Sequence, residues 1–262
     1  MLAFAANLSF IYQENEFLDR FATAAKDGFK GVEFLFPYQY QAEDIKRQLQ
    51  KCSLKQVLFN CPPGDWDNGD RGLSSIPGRE SEFREGVAQA IDYAQTLDCH
   101  QIHAMAGVIK NEPLFHKYEN TYLKNIEHAA QKCDKAGITL LLEVINRRDM
   151  PGFFLHTIEQ AVAYLKMLSM PNIGLLFDLY HMQIIHGNLR QLIERHFNAI
   201  KHIQIAGVPG RHEPNIGDLP FIESLRQLEK MQYQGWIGCE YHPSGETSAG
   251  LSWIHDYRHA QR

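Results

Sequence analysis

The chain has 262 residues, of which 44% are hydrophobic and 22% are charged, a composition typical of a globular protein. Its formal net charge of -5 gives no electrostatic reason to bind polyanions, so nucleic acid is a poor candidate partner. No segment approaches the roughly 18 uninterrupted apolar residues of a membrane span, so no membrane partner is expected. The five cysteines are an odd number without a CxxC pair, which indicates reduced thiols and a cytoplasmic location.

Eight short apolar runs have the length and composition of buried strands. We interpret the first, near the N-terminus, as a strand rather than a signal peptide because no basic segment precedes it. Stretches with helical apolar spacing lie between the runs; in one of them Phe17, Phe21 and Ala24 share a face and Gly28 follows as a stop. In chain order the runs are AFAANL, GVEFLF, KQVLFN, QIHAMA, ITLLLEVI, IGLLFDL, KHIQIA and WIGCEY.

Strands that alternate with helices predict right-handed crossovers and a parallel sheet buried on both faces. Eight such units in a chain of about this length predict an α/β fold, the (β/α)8 or TIM barrel. A doubly wound open sheet is the alternative, but the sequence contains no GxGxxG or GxxxxGK[ST] turn. No linker interrupts the pattern, so residues 1–262 are expected to form one domain.

A polar residue interrupts each predicted strand near its C-terminal end. In a barrel these ends form one mouth, where barrel enzymes place their chemistry. Taken singly, several have ordinary explanations: an arginine could pair with Glu33, His103 could be a hydrogen-bonded core histidine, and Asp178 could cap the next helix. The eight residues are Asn7, Glu33, Asn60, His103, Glu143, Asp178, Gln204 and Glu240.

The last four strands direct Glu143, Asp178, Gln204 and Glu240 toward a common axis, because alternate residues of a strand share a face. Three converging carboxylates would repel one another and suffer desolvation unless a cation binds them. All-oxygen donors suit Mg2+, or alternatively Mn2+, better than Zn2+. The small Gly238, on the same face as Glu240, is expected to leave room inside the barrel.

Eight segments along nearly the whole chain form a recognisable set: FAANLSF, GVEFLFPY, LFNCPPGDW, GLSSIPGRE, LLEVIN, FDLYHMQ, HIQIAGVPGRHEP and YQGWIGCEY. Together they resemble the hydroxypyruvate isomerase family of the xylose isomerase-like barrels, close to its bacterial 2-oxo-tetronate isomerases. The resemblance implies a divalent metal on the four strand-end residues above, and proton transfer by Glu143 and Glu240. It also implies an isomerase that moves a carbonyl between adjacent carbons of a small hydroxy-oxo acid through an enediolate.

The substrate expected from this resemblance is a small sugar acid. His181 is the candidate for polarising a substrate oxygen, and Arg211 for binding the substrate carboxylate through its planar guanidinium. Arg71 and Arg79 are alternatives for the second role. The substrate-binding candidates are His181, Arg211, His103 and Asn7. A homo-oligomer is also possible, because apolar residues are expected on the outer helices.

Three other functions remain open at this point. A ketose 3-epimerase of the same superfamily would use the same metal; such enzymes usually carry a histidine in place of Gln204, although EVINRRDM resembles their loop, with Asp149 in place of a substrate-binding glutamate. A barrel endonuclease for damaged DNA shares the DxxH motif, but the acidic net charge and Gln204 oppose it. A non-catalytic sugar-acid sensor would need no pair of proton-transferring glutamates.

Overall fold

The structure is a computed structural model that describes residues 2–110 and 112–259. Eight parallel strands follow one another in sequence order and form a closed barrel, which confirms the predicted (β/α)8 fold. The predicted runs are longer than the strands at several C-terminal ends; QIHAMA, for example, is a strand only as far as His103. The strands are Ala3–Asn7 (β1), Gly31–Phe34 (β2), Lys55–Asn60 (β3), Gln101–His103 (β4), Thr139–Glu143 (β5), Ile173–Asp178 (β6), Ile200–Ile205 (β7) and Trp236–Cys239 (β8).

Helices connect the strands. In the first of them, Phe17–Lys26, the buried residues are Phe21 and Ala24, and Gly28 beyond its end has a φ of 92°. The helices are Phe17–Lys26 (α1), Ala42–Cys52 (α2), Glu80–Leu97 (α3), Phe115–Lys135 (α4), Ile158–Leu168 (α5), Leu179–Ile185 (α6), Leu189–His196 (α7), Phe221–Lys230 (α8), Thr247–Gly250 (α9) and Ser252–His259 (α10).

The chain divides into two compact units, the first comprising Met1–Phe34, Arg47–Val57 and Phe177–Arg262. Its strands run side by side in the order β7, β8, β1 and β2. Gln204 lies opposite Gly238, which lies opposite Ala5, which in turn lies opposite Gly31. In this row Gly238 leaves space that the Glu33 carboxylate occupies, whereas Gly31 lies against the side chains of Trp236 and Val57.

The second unit comprises Leu35–Lys46 and Leu58–Leu176 and contains β4, β5, α3, α4 and α5. Glu143, at the end of β5, lies opposite Leu176 of β6. The long connection after β3 is tied to the segment after β4, because Ser74 Oγ donates to the Met105 carbonyl and the Ser75 amide donates to Ala106. The single-domain expectation for the chain stays a prediction.

All five cysteines are free thiols. Within the ranges that the structure covers, the helices are too short or too polar to cross a membrane.

Replacing Gly72 by alanine is expected to destabilise the second unit. Gly72 has a φ of 103°, and a Cβ there would overlap the Met105 carbonyl group, which is backbone and cannot rotate away. Gly69 is the matched control: its φ is 90°, but no described atom lies within 4 Å of a Cβ built on it. Gly69→Ala should cost about 1 kcal/mol of unfolding free energy from backbone strain alone, and Gly72→Ala about 1–3 kcal/mol more from the overlap.

Urea unfolding of the two variants and the wild type measures this difference. Equal destabilisation by the two substitutions would show that the close approach of Gly72 to Met105 is not present in solution.

Candidate active site

All eight polar residues singled out in the sequence lie at the C-terminal ends of strands and are buried. Asn7, Asn60, His103, Glu143 and Asp178 are the last residues of their strands, Glu33 and Gln204 are one residue from the end, and Glu240 directly follows β8. The predicted polar barrel mouth is therefore present.

Glu33 is at the centre of a buried hydrogen-bond network in the first unit. Its Oε1 accepts from Asn7 Nδ2 at 3.0 Å and from Gln204 Nε2 at 2.8 Å. His202 Nε2 lies 2.7 Å from the other oxygen, Oε2, and donates to it. The described partners of this carboxylate are thus two amides and an imidazole, rather than the arginine considered from the sequence. A Cβ on Gly238 would overlap the Glu33 carboxylate, so the room provided by this glycine is used by Glu33.

The same two amides connect Glu33 to Glu240. Glu240 Oε2 accepts from Asn7 Nδ2 at 2.7 Å and from Gln204 Nε2 at 2.6 Å. Both amide hydrogens of Gln204 are therefore directed at carboxylates. Its Oε1 is buried and has no hydrogen-bond partner among the residues that the structure describes. A buried carbonyl oxygen without a donor is a suitable ligand for a cation.

Arg211 brings a positive charge to two of these carboxylates. Its Nη2 lies 3.3 Å from Asp178 Oδ2 and 2.5 Å from Glu240 Oε1. The guanidinium carbon is 5.0 Å from the ring centres of both Phe10 and Tyr180. The backbone of Arg211 has a φ of 54°, a left-handed conformation that persists in a non-glycine residue only where its surroundings enforce it. Arg211 is therefore a fixed cation beside the site.

The charges of the buried side chains around Glu33 and Glu240 do not balance. Glu33, Asp178 and Glu240, if all ionised, carry three negative charges against the one positive charge of Arg211. Burial raises the pKa of Asp178 and of Glu240, because desolvation disfavours the charged carboxylate, while the neighbouring Arg211 opposes the rise. The pKa of Glu240 is also raised by the charges of Asp178 and Glu33. A divalent cation would remove this surplus of negative charge.

Asp178 both caps a helix and contacts other polar side chains of the site. Its Oδ1 accepts from the Tyr180 amide at 2.8 Å, so it caps α6 as considered from the sequence. Its Oδ2 faces Arg211 and lies 3.6 Å from His181 Nε2. Burial, followed by the charge of Arg211, holds the pKa of His181 well below its usual range, so this imidazole is neutral and can act as a ligand or as a hydrogen-bonding group.

At the ends of β3, β4 and β5, His103 contacts two polar residues of the second unit. Its Nδ1 is 3.3 Å from Asn60 Oδ1 and 3.6 Å from Glu143 Oε2. Its Nε2 is buried without a hydrogen-bond partner in the described part of the chain. Burial lowers the pKa of His103 to about 3, so the ring is neutral and Nε2 can accept a hydrogen bond.

Within the first unit, Asp178 and His181 are close enough to share a cation, since His181 Nε2 lies 3.6 Å from Asp178 Oδ2. His181, predicted from the sequence to contact the substrate, is therefore also a candidate metal ligand.

The alternative arginines are tied within their own connection. Arg79 pairs with Asp70 at 2.5 Å and with Glu82 at 2.7 Å. Arg71 donates to the carbonyl groups of Trp66 and Asp70, and its guanidinium carbon lies 4.0 Å from the Trp66 ring centre.

The remaining candidate, Asp149, is also engaged locally. Asn146 Nδ2 donates to its carboxylate at 3.0 Å, and the Asp149 amide donates back to Asn146 Oδ1 at 2.9 Å.

One member of the network was not among the predicted site residues. His202 is fully buried on β7 and contacts Glu33 through Nε2. The available signal was its position two residues before Gln204, which puts both side chains on one face of the strand. The direction of the Glu33 side chain, across the row of small residues to β7, could not be read from the sequence.

The closed parallel barrel with a polar mouth defines a xylose isomerase-like TIM barrel. The model of that family matches residues 21–257, and the chain belongs to it.

Individual relatives indicate which kind of enzyme within this family the chain is similar to. Over 98% of its length the chain is 46% identical to the 2-oxo-tetronate isomerase of Cupriavidus necator, covering 99% of that protein. It is 42% identical to the hydroxypyruvate isomerase of Escherichia coli, with 98% and 100% coverage. A crystal structure from Brucella melitensis, described as an AP endonuclease of family 2, is 47% identical with a TM-score of 0.95, covering 98% and 99% of the two chains. The family resemblance and the enzyme class, an isomerase, are confirmed.

The epimerases are more distant. A D-allulose 3-epimerase from Methylomonas sp. is 20% identical with a TM-score of 0.75 and coverages of 98% and 92%. A likeness at this level shows the fold alone.

Acid is expected to destabilise the metal-free protein partly through His103. The pKa of this imidazole is lower in the fold, about 3, than its ordinary value of 6.5, so the unfolded chain binds the proton more readily. The contribution of neutral His103 to stability is therefore complete above about pH 6.5 and is lost as the pH falls toward about 3. His103→Gln should reduce the dependence of the unfolding free energy on pH across this window.

Urea unfolding in EDTA at several pH values measures the difference from the wild type. If His103→Gln leaves the pH dependence unchanged, His103 is not buried in its neutral form.

Proposed function

We propose that this protein is a metal-dependent isomerase that moves a carbonyl between adjacent carbons of a small hydroxy-oxo acid. The interconverted pair would be 2-oxo-tetronate and 3-oxo-tetronate, or hydroxypyruvate and tartronate semialdehyde, with proton transfer through an enediolate. The names of the Cupriavidus necator and Escherichia coli relatives support this substrate class.

The observation that supports a metal is the buried Oε1 of Gln204, which has no donor among the described residues and lies beside several carboxylates. Glu143, Asp178, Gln204 and Glu240 would bind the cation, with Mg2+ favoured and Mn2+ possible, because the donors are all oxygen. His181 is a further candidate ligand, because its Nε2 lies 3.6 Å from Asp178 Oδ2. When bound, the cation would supply Lewis-acid stabilisation of the negative charge that develops on neighbouring substrate oxygens.

The proton transfers are assigned to Glu143 and Glu240. Glu240 is held by Asn7, Gln204 and Arg211, so its carboxylate is fixed in position before the substrate binds. In the metal-free site burial raises the pKa of Glu240, because desolvation disfavours the charged carboxylate. Glu143 would act on the other carbon. One glutamate removes a proton beside the carbonyl, and the other delivers a proton to the neighbouring carbon.

Substrate binding is assigned to His103, Arg211, His181 and Asn7, at the ends of the strands or in the segments that follow them. His103 can accept a hydrogen bond from a substrate hydroxyl through Nε2. Arg211, with its planar cationic group, would attract the substrate carboxylate, and His181 would polarise a substrate oxygen. Asn7 contributes by holding Glu240 and Glu33, because its amide group donates to both carboxylates.

The endonuclease activity named for the Brucella melitensis structure does not suit the site of this chain. A net charge of -5 and a site rich in buried carboxylates are unfavourable for contact with a phosphate backbone.

Exchange of substrate hydrogen in D2O tests the proposed reaction. Wild-type protein with Mg2+ or Mn2+ should exchange label into 2-oxo-tetronate or hydroxypyruvate, and EDTA should abolish this. Glu143→Gln and Glu240→Gln should each slow exchange by about 10²- to 10⁴-fold, the usual contribution of a general acid or base. Metal content must be measured on each variant, because both glutamates are also proposed ligands.

Glu119→Gln is the control, a substitution on α4 at a carboxylate that accepts from Tyr164. It should exchange at the wild-type rate. Native exchange by both site variants would refute the two-glutamate mechanism. Turnover of neutral ketoses at carbon 3, without turnover of the acids, would replace the proposal with a 3-epimerase.

A further inference from the structure

Glu33 is buried at the barrel mouth but has no assigned role in binding the cation or in moving protons. It is 1% exposed, and burying a carboxylate costs several kcal/mol unless its partners compensate. Its described partners are all hydrogen-bond donors: the amides of Asn7 and Gln204 and the imidazole of His202. The question is what this costly arrangement achieves.

The effect of Glu33 on Gln204 depends on the chemistry of the side-chain amide. The oxygen and nitrogen ends of the amide are similar in shape, and a half-turn exchanges them. A carboxylate only accepts hydrogen bonds, so Glu33 Oε1 and Glu240 Oε2 both require Gln204 to present Nε2. The oxygen must then point away from both carboxylates, and within the described ranges this buried atom has no hydrogen-bond partner.

The position of Glu33 is itself determined by its neighbours. Asn7 lies opposite Glu33 in the register of β1 and β2, and a Cβ on Gly238 would occupy the place of the carboxylate. His202 Nε2 donates to Oε2 from two residues before Gln204 on β7. The acceptor that Gln204 requires is therefore fixed before any ligand binds.

We propose that Glu33 is a positioning residue that orients Gln204 so that its Oε1 faces the cation. This inference rests on the proposed function, because it assigns Gln204 as a ligand of the metal. It assigns Glu33 a role through hydrogen bonding rather than through its charge.

The test compares two substitutions that both remove the charge of Glu33. Glu33→Gln keeps an oxygen that can accept from Gln204, whereas Glu33→Leu keeps none. Mn2+ affinity, measured by electron paramagnetic resonance of the free ion, should fall at least about 10-fold further in Glu33→Leu than in Glu33→Gln, as for other residues that orient metal ligands. In a Gln204→Ala background the difference between the two substitutions should disappear.

Glu213→Gln is the control for removing a buried carboxylate elsewhere. Glu213 is 2% exposed and accepts from the Ser244 amide. This variant should bind Mn2+ with wild-type affinity. Metal-free thermal unfolding checks that each variant is folded. If Glu33→Leu does not fold, Gly238→Ala replaces it, because the added Cβ displaces the Glu33 carboxylate without removing its charge; the same loss of affinity is expected.

The outcomes separate this inference from the proposed function. Equal Mn2+ affinity in Glu33→Leu and Glu33→Gln, or a difference that persists without Gln204, would overturn the positioning role while leaving the metal site intact. A wild-type protein that binds no Mn2+ would overturn both.

Discussion

The site depends on one constraint: the carboxylates buried at the ends of the barrel strands need partners that offset the free-energy cost of their burial. Each of these groups loses its hydration, and Glu33, Asp178 and Glu240 lie close enough to share partners. The protein supplies amide hydrogens from Asn7 and Gln204, an imidazole from His202 and one guanidinium from Arg211. These groups provide hydrogen bonds to the carboxylates but neutralise only part of their negative charge. Because negative charge remains, the protein's own ion pairs do not balance the carboxylates, and a bound cation would.

The barrel makes this arrangement possible through its register. Gly31, Ala5 and Gly238 lie side by side on neighbouring strands, and the absence of bulk at Gly238 is what allows Glu33 to extend toward β7. Arg211 reaches the carboxylates from outside the strands, in a left-handed backbone conformation between two aromatic rings. Gly238 inside the barrel and Arg211 in a loop at its rim thus serve the same polar cluster.

Much of this could be predicted from the sequence. The eight apolar runs, each interrupted by a polar residue, were sufficient for the barrel and for a common mouth, because strand parity and parallel connectivity determine where the ends meet. The alternation of side chains along a strand could not show in which direction the long side chains extend. Glu33 points across the barrel to His202, Asn7 donates to two carboxylates, and Arg211 contacts Asp178 and Glu240 from a loop. Such contacts depend on rotamers and loop conformations that leave no periodic signal in the sequence.

The central claim is that Glu143, Asp178, Gln204 and Glu240 bind a divalent cation. A crystal structure of the Mn2+-loaded protein, with the ion located by its anomalous scattering, tests this most directly. We predict one ion whose protein ligands include Gln204 through Oε1 and carboxylate oxygens of the other three residues. An ion bound only by Glu143, Asp178 and His181, or Gln204 facing it through nitrogen, would contradict the account.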